Sequence, residues 1–484
     1  MFPLLQVDSN SDAPLYRQIF DQISAAILSH RMLRGDRLPP TRELAGSLGL
    51  NRTTIAAAYE LLEADGLIRS HVGRGTFVEG PEPKLDWGEL VSEPPAMPTP
   101  PDATVSFSAS KPPEDQFPIE EFRATVREVI DSPEAAQILQ LGPASGYGPL
   151  RKFILAQVRA RGAARADDDV LITSGAQQAF DLIQRVLAAR GETAAIEDPV
   201  YPGLRNAFLR GGARVIGAPM NEQGVDLASL ERLLDREHPR LLVLTPNFQN
   251  PTGTTIPESA RRQILDWTRR AGTILVENDL YESLRYTGEE IPSMKQLDDS
   301  GDSILLGSFS KIAFPGLRVG WVIGPRRFIA SLTEAKEACD LHSDQLSQAV
   351  LLRFAQSGRL AAHRASMIAS GRERLRECLD CCSRLLPPGS FYTRPEGGMN
   401  VWVTLPEPLD AAELALRAAR ENVSYLPGKY FAVTKPHTHS LRLSFIGLEP
   451  HKIRWGMQVL NTIFNAEISR TRRWRQSEPQ PALV

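Results

Sequence analysis

A chain of 484 residues, 42% hydrophobic and 23% charged, with a formal net charge of -3, has an ordinary globular make-up that excludes a disordered, fibrous or polybasic protein. Its length exceeds the size at which single cores stop growing, so two or more domains are expected. No apolar run is long enough to cross a bilayer, and the start "MFPLLQVDSNSDAPLY" lacks the basic and apolar segments of a secretory signal, which predicts no membrane partner and a cytoplasmic location.

The first element is "PLYRQIFDQISAAILSH", whose Leu15, Ile19, Ile23, Ile27 and Leu28 have the spacing of an amphipathic helix. Next, "TRELAGSLG" turns Leu44, Ala45 and Leu48 inward and stops at Gly49. Asn51 is then a good N-cap for "RTTIAAAYELLEADG", with Ile55, Tyr59 and Leu62 on one face. The order is helix, tight turn, helix. Arg52, Thr53 and Thr54 open the second of these helices, the position from which a recognition helix reaches base edges. "LIRSHVGRGTFV" reads as two short strands joined at Gly73-Arg74-Gly75, a wing that can lay Arg74 against DNA. Between residues 31 and 75 seven arginines face five acids, so charge adds little to the pattern. The whole stretch "LPPTRELAGSLGLNRTTIAAAYELLEADGLIRSHVGRGTFV" resembles the GntR-type winged helix. That resemblance implies a dimer on repeated half-sites of double-stranded DNA, with Arg42, Arg52 and Arg74 as contacts beside Thr53 and Thr54.

Residues 79–104, with 7 of the chain's 37 prolines, read as a semi-rigid linker. The expected domains are therefore a DNA-binding head over 1–78, this linker, a body over 105–470 and a tail over 471–484.

In the body, short apolar runs end abruptly in polar residues and glycine: "VLITSGAQQ", "TAAIEDPVY", "LLVLTPNFQNPTG", "TILVENDLY", "SILLGSFSK". This is the rhythm of an α/β fold with a mainly parallel sheet flanked by helices, whose binding crevice lies at the carboxyl ends of the strands. Gly175, Ala176 and Gln177 open a helix that can receive a phosphate on its free amides. Ser308, Ser310 and Arg318 can bind the same anion. Asp279 ends a buried strand, Asn250 lies in a loop before proline, and Lys311 sits where a lysine can be desolvated and made nucleophilic. A phosphate cradle, a reactive amine and a buried carboxylate are what pyridoxal phosphate requires. Three of the four cysteines, Cys378, Cys381 and Cys382, lie in one helical pattern with no second ligand pair nearby, so buried thiols and no metal are expected.

Through "SGAQQA", "PNFQNPTG", "ENDLYE", "SFSKIAFPGLRVGW" and "SLRLSF", residues 105 to about 465 resemble a fold type I (class I/II) aminotransferase with a smaller C-terminal α/β subdomain. The resemblance implies Lys311 as the Schiff-base lysine, Asp279 on the pyridine nitrogen, Asn250 and Tyr281 on the ring hydroxyl, and Tyr201 stacked on the ring. It also implies Arg442 on the carboxylate of an incoming amino acid, with Arg205 available to a second anionic group. One position departs from the family: Leu141 stands where a tyrosine usually reaches the partner subunit's phosphate. Either Tyr147 substitutes for it or that contact is missing.

Head, linker and body together resemble the MocR-type (GabR-like) transcription regulators. This implies a homodimer that senses a small amino compound through an external aldimine at Lys311. The alternatives are a working aminotransferase with an attached DNA-binding module and a regulator that senses pyridoxal phosphate itself; any turnover is expected to reach at most a half-transamination.

Overall fold

The computed structural model describes residues 5–9, 11, 13–71, 73–80 and 105–477, with side chains as far as 471. It divides into two compact units, residues 1–97 and 98–484. Of the proline-rich segment, only residues 79 and 80 lie within the described residues.

In the first unit, helix Leu15–Leu28 buries Ile19, Phe20, Ile23, Ala26 and Ile27. Leu28, read from sequence as part of that face, is 56% exposed, because the helical step of about 100° carries it off the stripe that Ile27 completes. Helix Thr41–Leu48 ends on Gly49 at φ 66, and helix Arg52–Ala64 begins at Asn51, whose side chain accepts from the Thr53 amide. Such a cap contributes about 1 kcal/mol. Buried Leu44, Ile55, Tyr59 and Leu62 join the first helix in one core. The wing strands Ile68–His71 and Gly75–Val78 pair antiparallel, and a third strand, Arg37–Leu38, adds to Gly75–Val78. The third strand has only two residues, so it offers no alternation to read.

The second unit is built on an eight-stranded sheet. Its order is Asp168–Thr173, Gly320–Pro325, Ile304–Ser308, Ile274–Asn278, Leu241–Leu244, Thr193–Asp198, Arg214–Asn221, Gly224–Val225. Leu241 and Val243 pack in one apolar cluster, Leu242 and Leu244 in another. Both faces of the central strand are therefore covered, which is why it reads as a continuous apolar run. Strand Gly320–Pro325 runs antiparallel to both neighbours. Residues 309–319, which lead into it, hold two 3-10 turns and are too short for the helical crossover that a parallel return needs.

A smaller antiparallel sheet orders Phe391–Tyr392, Asn400–Thr404, Ser440–Ser444 and Leu426–Pro427. The long helices Arg359–Leu385 and Pro450–Ser477 pack beside it, the latter running beyond residue 470. Cys378, Cys381 and Cys382 are buried in this core, where a hydrogen bond with Cys382, together with burial, raises Cys378 above the ordinary thiol range and burial raises Cys381. The start of the unit belongs here too: Val105–Ser106 pairs parallel with Val423–Ser424, and Val105 and Phe107 are buried in the same core.

Candidate functional site

On the first unit, Arg42, Arg52, Thr53 and Arg74 are exposed and Thr54 is half-buried. Arg52 Nε donates to Thr41 Oγ1 at 3.3 Å, which ties the starts of the two helices together. Gly73 at φ 77 and Gly75 at φ 112 give the wing its turn, conformations that favour glycine. Arg37 lies along the wing: a Cβ on Gly75 would stand 2.9 Å from its Nε.

In the second unit, the strand ends build one end of the candidate site from backbone. Helix Ala176–Leu187 follows Gly175 at φ 82, and no side chain caps it, so its first amides are open to an anion. A Cβ on Gly175 would come within 2.4 Å of the Arg318 guanidinium. Arg318 donates to the Ser174 carbonyl at 3.3 Å and to Ser310 Oγ at 3.4 Å. The hydroxyl of Ser308, expected to bind the anion directly, is already committed. It donates to the Val319 carbonyl at 3.1 Å and accepts from the Ser310 amide at 3.0 Å, fixing the turn that carries Ser310 and Lys311. Gln177 Nε2 donates to the Gly203 carbonyl at 2.9 Å, beside Tyr201, which precedes helix Pro202–Arg210 and is 44% exposed.

The other end is assembled from distant segments. Lys311 is half-buried; its Nζ donates to the Ser110 carbonyl at 2.8 Å and lies 5.4 Å from the Tyr281 ring centre. The buried Tyr281 hydroxyl accepts from Asn250 Nδ2 at 3.3 Å, and Asn250 Oδ1 accepts from Arg442 Nη1 at 3.0 Å. Arg442 also donates to the Ser108 carbonyl, and its guanidinium lies 5.0 Å over the Phe431 ring. Burial lowers Arg442 to about 10, against the nearby phenols of Tyr281 and Tyr201, so it keeps its charge at neutral pH.

Asp279 accepts from Asn247 Nδ2 at 2.9 Å. Desolvation, with Glu282 and Glu277 close by, holds its carboxyl well above the usual range; a cation brought to it would reverse that. Asn247 is oriented in turn by Arg261 Nη2, which donates to its Oδ1 at 2.7 Å. Arg261 is fully buried and also donates to the Ile256, Pro246 and Pro292 carbonyls. Sequence reasoning missed it, since an Arg-Arg pair inside a helix carries the pattern of a solvated face.

Two expected positions fall elsewhere. Arg205 donates to the Ala432 carbonyl and to Asn206 Oδ1 at 3.2 Å, so its guanidinium is engaged with the 432–437 loop, whose Val433, Thr434 and Lys435 amides are held by Asp198. Leu141 is 75% exposed. Tyr147 is half-buried and packs against apolar clusters around Leu150 and Val129.

The donor set as a whole is open amides with Ser310 and Arg318, an amine at Lys311, a carboxylate at Asp279, and the Asn250–Tyr281 pair. It fits a molecule with a phosphate, an aldehyde, a ring nitrogen and a ring hydroxyl, as pyridoxal phosphate has.

Comparison with known proteins agrees with both units. The family described as aminotransferase class I and II matches residues 104–460, and bacterial regulatory proteins of the gntR family match residues 15–78. The 2-aminoadipate transaminase of Thermus thermophilus is 38% identical over 74% of this chain and 89% of its own. The probable rhizopine catabolism regulatory protein MocR of Rhizobium meliloti is 28% identical over 96% of both chains. Among solved structures, the Pyrococcus horikoshii kynurenine aminotransferase, in complex with PMP, shares 32% identity with a TM-score of 0.72, over 76% of this chain and 92% of that one.

Proposed function

Because the chain belongs to the class I and II aminotransferase family and joins that domain to a gntR-family head, as MocR-type regulators do, we propose that it is a pyridoxal-phosphate-dependent transcription regulator whose body senses a small amino compound. In this reading the Gly175, Ala176 and Gln177 amides, Ser310 and Arg318 hold the cofactor's phosphate. Asp279 faces the pyridine nitrogen, Asn250 and Tyr281 the ring hydroxyl, Tyr201 the ring and Lys311 the aldehyde. When bound, the cofactor supplies an aldehyde carbon that condenses reversibly with primary amines. Arg442 grips the effector's carboxylate and Lys311 gives way to its amine.

One observation carries the sensing role. Lys311 and Arg442 each hold a backbone carbonyl of one short segment, at Ser110 and Ser108, and that segment follows the proline-rich stretch directly in the chain. An effector that takes Arg442 by its carboxylate withdraws that donor from Ser108, while its amine, replacing Lys311 at the cofactor, frees the Lys311 amine to hold Ser110. Each exchanged charge-assisted hydrogen bond, about 1.5–3 kcal/mol, is a sufficient bias for a two-state element. The regulator acts as a cytoplasmic homodimer on an operator with repeated half-sites, read by Arg42, Arg52, Thr53, Thr54 and Arg74. The intact set of Lys311, Asp279 and Arg442 also supports a second reading, a working aminotransferase, which predicts keto acid accumulating over many cycles from an amino donor.

The deciding experiment is selection of genomic fragments by the cofactor-loaded protein beside Arg52→Ala and Lys311→Ala variants. The expected result is discrete sites for wild type, none for Arg52→Ala, and sites that no longer respond to amines for Lys311→Ala. Absence of selected sites in wild type would sink the regulator reading.

A further inference from the structure

Asn400 is 1% exposed, yet neither its Oδ1 nor its Nδ2 has a hydrogen-bond partner among the described residues. A buried amide left unpaired is destabilising by about 1–3 kcal/mol, and such groups are rare enough in folded proteins to need a reason.

Its position supplies one. On strand Asn400–Thr404, Asn400 stands opposite Ser444 and Trp402 opposite Arg442. Directly opposed residues of an antiparallel pair share a face, as do residues two apart on one strand. Asn400, Ser444 and Arg442 therefore look to the same side. Ser444 Oγ donates to the Ala109 carbonyl on that side, and Arg442 reaches Ser108 and Asn250 there. The Asn400 carbonyl meets the loop that carries Asn250: a Cβ on Gly253 would lie 2.5 Å from it. A second orphan lies on the same face, Arg442 Nε, also buried and unpartnered among the described residues. Two unsatisfied polar groups on adjacent strands of one face thus border the carboxylate end of the pocket.

We propose that Asn400 is the specificity residue of the effector pocket, and that the effector carries a neutral hydrogen-bonding group, an amide or a hydroxyl, in addition to its amine and carboxylate. The assignment rests on the sensing role argued above. An asparagine amide both donates and accepts, so it pairs fully with an amide or hydroxyl but only half with a second carboxylate. The cation expected to read a second anion, Arg205, is committed to the Ala432 carbonyl. A purely apolar side chain would leave the amide buried and unpaired, and sites of this kind reject ligands that lack the matching polar group.

The test titrates the cofactor-loaded protein with L-asparagine and L-glutamine against the similarly sized L-leucine and L-methionine, read by the change in cofactor absorption. Wild type is expected to favour the amide partners by about tenfold or more, and Asn400→Leu to lose or reverse that ratio. Without ligand, Asn400→Leu is expected to melt higher, since the unpaired group is gone with little change in volume; Asn400→Ala stands in should the leucine variant misfold. If no amine alters the absorption, the sensing role itself falls, and this assignment with it. A ratio near one in wild type, or one kept by both variants, overturns the role of Asn400 alone, and a lower melting point for Asn400→Leu with the ratio kept marks the amide as structural.

Discussion

The two ends of the body's pocket are made in opposite ways. The end proposed to hold the phosphate comes from two short stretches, 174–178 and 308–318, and its working groups are largely backbone amides, a hydroxyl and one arginine held against a glycine. The carboxylate end draws on Ser108, Ser110, Asn247, Asn250, Tyr281, Phe431 and Arg442, which the fold gathers from the whole length of the unit. An end built from backbone has little freedom to vary and serves one invariant ligand. An end built from side chains on separate elements can be retuned by single substitutions, and can move when a ligand engages it. In the proposed reading, constancy for the cofactor and selectivity for the effector are therefore divided in space.

The sharpest way to break this division is at Gly175. At φ 82 a side chain is strained, and its Cβ would sit 2.4 Å from the Arg318 guanidinium. Strain and clash together amount to a few kcal/mol, so Gly175→Val is expected to weaken cofactor binding on the order of 1000-fold, measured by absorbance titration. A variant that kept its affinity would show that the backbone cradle is not what binds the phosphate. Arg442→Met tests the other end. Losing a buried guanidinium partner should weaken a carboxylate-bearing amine by about 100-fold while changing cofactor affinity by less than about threefold. Equal losses of both ligands would erase the distinction between the ends.

The same division sets what could be read from the chain. The phosphate end is local, so glycine, serine and arginine at the ends of apolar runs announced it, as helical spacing and the Asn51 cap announced the head. Even there, hydroxyls could not be told apart: Ser308 and Ser310 look alike in "SFSK", and only the return of the Val319 carbonyl to the Ser308 hydroxyl separates the turn-holder from the hydroxyl that meets Arg318. At the carboxylate end the single letters Arg442, Asn250 and Tyr281 were legible through family likeness, whereas their partners were not. Nothing in "SFSASK" marks Ser108 and Ser110 as acceptors for Arg442 and Lys311, because those contacts span hundreds of residues. Arg261 and Asn400 were invisible for a related reason: a polar letter in a helix or strand reads as outward until its neighbours are known. For Arg205 nothing in the sequence announced its hydrogen bond to the Ala432 carbonyl, more than two hundred positions away.

Beneath the carboxylate end lies a group whose titration sharpens the contrast. Glu197 is buried, with Oε1 accepting from the Thr245 amide at 2.8 Å and Oε2 from Gln249 Nε2 at 3.1 Å. Gln249 Oε1 in turn accepts from the amide and hydroxyl of Thr252, in the loop that presents Asn250. Burial outweighs these hydrogen bonds and pushes Glu197 up to about 7 from 4.5. A carboxyl raised in the folded state binds its proton more tightly there than in the unfolded chain. Its contribution is therefore most favourable below the unfolded value and declines as pH rises through the folded one. Relative to Glu197→Gln, which cannot titrate, wild type should lose about 2–3 kcal/mol of unfolding free energy between pH 5 and pH 8, measured by urea denaturation at each pH. Above neutral pH the charged form leaves this supporting loop less stable, so effector affinity should weaken before cofactor affinity does. A stability difference that stays flat across that range would mean Glu197 keeps one protonation state throughout, and the loop behind Asn250 would then be as rigid as the backbone cradle at the opposite end.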